Sequence, residues 1–92
     1  NVQKISKYFH KELHKLQSEY PKVVKEVRGA GLLVGLKISE DQTKFIKKLS
    51  DNKLLTVKAS ENVVRLLPPL TVKKQNIDEA VTILKKVCKT YR

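Results

Sequence analysis

Several functions depend on residues of which this sequence has few or none. Its 92 residues include a single cysteine, Cys88, so no disulfide can form within the chain. One lone thiol suits a reducing compartment such as the cytoplasm. No apolar run approaches the ~18 residues that a membrane helix needs. Only five aromatic residues occur, Tyr8, Phe9, Tyr20, Phe45 and Tyr91, all in or beside helical patterns. A sheet that binds RNA stacks bases on strand aromatics, and the strand-like segments here carry none. Acidic residues are scarce too, nine against 20 basic ones, for a formal net charge of +11. That excess is 17 Lys spread over every segment and three Arg, which fits a solvated surface better than a nucleic-acid groove. What remains is one small globular domain, 40% hydrophobic and 32% charged. A chain of this length buries roughly 60 to 65% of its unfolded surface. Asn1 opens directly on a helical pattern, so the expectation is a piece of a longer protein.

The apolar residues Val2, Ile5, Phe9, Leu13, Leu16 and Tyr20 recur at spacings of three and four, which predicts an amphipathic helix closed by Pro21. Val23 to Val27 reads as a short extended piece, and Arg28-Gly29-Ala30-Gly31 as a turn. Leu32 to Ile38 predicts a strand interrupted by Gly35. Ser39 is placed to cap a second helix, with Glu40 and Asp41 in its first turn and Phe45, Ile46 and Leu49 on its inner face. Leu54 to Val57 and Val63 to Leu67 predict a hairpin around Ser60-Glu61-Asn62. The last helix carries Ile77, Ala80, Val81, Leu84, Val87, Cys88 and Tyr91 on one stripe, and Lys73 and Lys74 at its start oppose its dipole.

The order is α-β-α-β-β-α, an α+β fold with a three-stranded antiparallel sheet and helices on one face. The strand from Val63 to Leu67 takes the centre. Alternation sends Val64 and Leu66 towards the helices, and Val63, Arg65 and Leu67 to a face that nothing in the chain covers.

Few residues suggest chemistry. His10 and His14 stand four apart on the first helix, but no third ligand is near and lysines surround them, so two solvated histidines are expected. Cys88 falls on a core stripe, where it reads as a small hydrophobe. "GAGLLVG" has the glycines of a phosphate loop without its lysine, and a strand follows it. It reads as a tight turn with close packing. Arg65 differs. A guanidinium in an apolar strand needs an anion, and arginine grips a carboxylate with two parallel bonds where lysine offers a point charge. A structural ion pair and a bound ligand both satisfy that need.

The blocks "VKEVRGAGLLVGLKI" and "NKLLTVKASENVVRLLPPLTVKKQNIDEAVTILKKV" resemble the C-terminal small domain of the class III pyridoxal-phosphate aminotransferases, most closely the acetylornithine aminotransferases. The opening "NVQKISKYFHKELHKLQSEYP" is similar to the helix that begins that domain. The resemblance implies that residues 1–92 are one C-terminal domain of a cytoplasmic enzyme of arginine biosynthesis. Its reaction would be transamination between N-acetylornithine and 2-oxoglutarate. It implies further that Arg65 binds the substrate α-carboxylate. The cofactor, pyridoxal 5′-phosphate, would be held by a large domain of the same chain in a homodimer. No catalytic, cofactor-binding or metal-ligating residue is implied in this chain, and no nucleic acid or membrane. Related ω-aminotransferases of ornithine or succinyl-diaminopimelate, and a basic nucleic-acid-binding module, are the alternatives.

Overall fold

The three- and four-residue spacing from Val2 closes into a helix, α1 (Val2–Glu19), in the computed structural model, which describes residues 2–68 and 71–91. Phe9, Leu13 and Leu16 form its buried stripe. The elements that follow are β1 (Val24–Ala30), β2 (Leu33–Ile38), α2 (Gln42–Asp51), β3 (Thr56–Ala59), β4 (Val63–Leu66) and α3 (Lys74–Lys89). The four strands make one sheet in the order β1-β2-β4-β3, every neighbouring pair antiparallel. β4 lies between β2 and β3, as expected from the all-antiparallel arrangement.

The expected three-stranded sheet is corrected by β1. Only Gly31 and Leu32 connect β1 to β2, so Arg28, Gly29 and Ala30 belong to a strand and pair with Gly35, Val34 and Leu33. Gly29 stays in the ladder with φ 105°, a conformation that a residue with a Cβ rarely adopts. A Cβ there would meet the Leu33 carbonyl oxygen at 2.0 Å. Two other boundaries move. Ser39 does not cap α2; its hydroxyl donates to the Lys22 carbonyl, and Asp41 Oδ2 accepts from Lys44 N at 2.9 Å instead. β3 begins at Thr56 instead of Leu54, because α2 ends in a Schellman turn. Lys53 takes φ 70°, Lys53 N donates to Ser50 O, and Leu54 N reaches back to Leu49 O at 2.9 Å. Leu54 therefore packs on the core as part of the helix stop.

All three helices cover one face of the sheet. Val34, Leu36 and Ile38 of β2 and Val64 and Leu66 of β4 point into that layer, against Phe45, Leu49, Ile77 and Leu84. Phe45 stacks on Tyr91 with centroids 5.8 Å apart, and the Lys48 ammonium sits 3.9 Å above the Tyr91 ring. α3 starts without a capping side chain at Lys73; the Asn76 amide oxygen accepts from Lys73 N at 2.9 Å. Tyr8 on α1 donates to the Asp78 carboxylate on α3, and that bond pushes the Tyr8 hydroxyl up to about 12. Pro68 follows β4, and Pro69 lies outside the described residues.

Candidate functional site

The sheet's other face is open. Alternation along the two central strands brings Leu33, Gly35 and Lys37 of β2 and Val63 and Arg65 of β4 to it. The ladders fix a row across this face: Arg28 of β1 pairs with Gly35, Gly35 with Arg65, and Arg65 with Val57 of β3. Two guanidiniums thus leave the same row on either side of a residue that has no side chain. Between them runs a groove of about 520 Å³, walled by Gly29, Ser60, Val63 and Leu67 among others. Gly35 is required by packing, since a Cβ on it would stand 2.7 Å from Val63 Cγ1. Val63 closes over that glycine and is buried, although it was expected in an exposed patch. The apolar residues that do stand exposed on this face are Leu33, Val57 and Leu67.

The two arginines are in opposite electrostatic situations. Arg28 is held by Glu26 through Nε (3.0 Å) and Nη2 (3.3 Å), and by Glu61 through Nη1 (3.0 Å). The hydrogen bond from Arg28 holds the Glu26 carboxyl below its ordinary value, and the two carboxylates raise Arg28 in turn. Arg65 is exposed, and among the described residues no carboxylate pairs with it. Arg65 thus stands on the uncovered face to which alternation assigned it. The structural ion pair exists, but it is Arg28 that makes it. Sequence reasoning missed Arg28, because its partners lie two residues away and in a distant turn.

The remaining candidates are quiet. His10 Nε2 donates to Gly31 O at 2.9 Å, tying α1 to the β1–β2 turn, so it is not simply solvated; His14 is exposed. No cluster of metal-ligating side chains occurs among the described residues. Burial alone pushes the Cys88 thiol up to about 12. A thiol reagent at mildly alkaline pH should leave Cys88 unlabelled in the native chain and label it fully in denaturant. Rapid native labelling would show a reactive thiolate. The aromatic residues all lie off the strands, which leaves the open face without a base-stacking platform.

Residues 1–88 match the family model of the class-III aminotransferases, and the chain belongs to that family. The acetylornithine aminotransferase of Clostridium acetobutylicum is 44% identical over 89 residues, covering 97% of this chain and 23% of the relative. That of Caldanaerobacter subterraneus is 44% identical over 92 residues, covering 99% and 23%. Among solved structures, an ornithine aminotransferase from Plasmodium yoelii superposes with a TM-score of 0.91 at 29% identity, over 100% of this chain and 25% of its own. A lysine aminotransferase from M. tuberculosis gives 0.90 at 29% identity, over 99% and 21%. The chain spans about a quarter of the length of the relatives it matches.

The residues present do not fit pyridoxal phosphate. Among those described no charged or polar side chain is buried, so no lysine stands in an enclosed site where its amine could be held for a cofactor aldehyde.

Proposed function

We propose that residues 1–92 are the C-terminal small domain of an acetylornithine aminotransferase, and that Arg65 receives the substrate's α-carboxylate. In this reading the enzyme exchanges an amino group between N-acetylornithine and 2-oxoglutarate in arginine biosynthesis, and works in the cytoplasm. Its pyridoxal phosphate is held by the large domain of the same chain, in a homodimer. The observation that carries the reading is the guanidinium of Arg65, without an ion-pair partner among the described residues, beside the bare floor of Gly35. The exposed Leu33, Val57 and Leu67 around it suit burial against further protein. Covered in that way, the guanidinium would face a cleft drained of water, where a bidentate carboxylate bond is strong.

Relatives at 44% identity favour acetylornithine as the amino donor. The ornithine aminotransferase likeness supports a second reading, an ω-aminotransferase acting on free ornithine. Kinetics on the full-length protein separate them: kcat/KM should be higher for N-acetylornithine than for ornithine, and the reverse order would establish the second reading. The 92-residue chain alone, mixed with pyridoxal phosphate, should show no saturable stoichiometric binding and no amino transfer. A defined active complex of this chain would overturn the domain assignment. Scattered adducts on its exposed lysines would leave it standing.

A further inference from the structure

Glu61 and Asn62, in the turn between β3 and β4, both have left-handed backbone, with φ 62° and 60°. Asparagine tolerates that conformation, and Asn62 is further secured because its Nδ2 donates to Ile38 O at 2.7 Å and Glu40 O at 2.9 Å. Glu61 has neither advantage. What holds it is Arg28 Nη1 at 3.0 Å. Arg28 starts from β1 and Glu61 lies beyond β2, so the guanidinium reaches across β2 beside Gly35, which puts no side chain in its path. Ala59, Ser60 and Val63, which flank Glu61 in sequence, wall the groove. Among the described residues Arg28 and Arg65 are the only charged ones lining it, and two carboxylates already occupy Arg28.

We propose that Arg28 is a positioning residue for substrate binding: through Glu61 it fixes the groove wall beside Arg65, and its own neutralisation leaves Arg65 to take the substrate carboxylate. This rests on the reading of Arg65 given above. In the full-length enzyme, Arg28→Gln and Glu61→Gln should each raise KM for N-acetylornithine about 3- to 10-fold, with kcat within about twofold. The double variant should be no worse than the worse single one, because both changes break one interaction. KM for an amino donor without an α-carboxylate should not move. Glu61→Gln changes an exposed turn residue and carries the test by itself if Arg28→Gln does not fold.

Additive effects of the two substitutions, unchanged KM, or an equal loss on the carboxylate-free donor would each overturn the proposal. Arg65→Lys measured alongside tells the two failures apart. If Arg65→Lys discriminates between the two kinds of donor and the Arg28 and Glu61 variants do not, the positioning role alone falls. If Arg65→Lys fails to discriminate, the carboxylate reading falls and takes the positioning role with it.

Discussion

Replacing Arg65 by lysine in the full-length enzyme should lower kcat/KM about 10- to 100-fold for N-acetylornithine. Lysine keeps the charge and loses the pair of parallel bonds, each charge-assisted bond being worth about 1.5 to 3 kcal/mol. N-acetylornithine reacts at its δ-carbon, several bonds from its α-carboxylate, whereas 2-oxoglutarate reacts beside its own, so the two half-reactions need not suffer equally. The fold should be untouched, because among the described residues the Arg65 guanidinium makes no ion pair that the substitution could break. Amines without the α-carboxylate should react nearly as before. Normal kcat/KM in the folded variant would remove Arg65 from the binding site.

The largest loss of stability should come from Gly29→Ala, on the order of 3 kcal/mol, since it combines backbone strain with a clash. The φ of 105° is unfavourable for alanine, and the new Cβ would lie 2.0 Å from the Leu33 carbonyl oxygen. Backbone on both sides of the two-residue turn leaves nothing that can rotate away. For a domain of this size, a loss of that order lowers the melting temperature by roughly 10 to 25 °C. Gly35→Ala should cost less, because its new methyl meets a side chain, Val63 Cγ1 at 2.7 Å. Adding Val63→Ala should recover part of that loss, whereas no side-chain change should rescue Gly29→Ala. Thermal melts of the three variants check both statements, and a Gly29→Ala melt close to the parent's would contradict the strain assigned to β1.

Most of what was legible in the sequence was periodic. The stripes of α1 and α3, the inward Val64 and Leu66 and the outward Arg65 all follow from spacings that survive any shift of an element's ends, and the central place of β4 follows from the connections between strands. β1 was only half legible. It is an edge strand, and Lys25, Glu26 and Arg28 give it the charge that edge strands carry, which hides the apolar alternation. Gly29 and Gly31 then look like one long turn, although the chain turns only at Gly31-Leu32. The ends of α2 were misread because Asp41 competes with Ser39 as a cap, and because a lysine takes the left-handed stop that glycine usually fills. The ion pair between Arg28 and Glu61 joins residues from separate hairpins, and no local pattern announces it.

The strand order has a consequence for how the chain reaches this structure. β1–β2 and β3–β4 are local hairpins, of a kind that forms in about 1 to 10 μs. The seam between β2 and β4 is not local, since bringing Val34 to Leu66 closes a loop of about 30 residues against chain entropy. Folding should therefore be limited by joining the seam, with both hairpins waiting for it. Gly35 and Arg65 face each other across that seam, and the bond between Arg28 and Glu61 ties one hairpin to the other over it. An anion held by Arg65 would rest on the junction made last and opened first, so binding would slow the parting of the two hairpins.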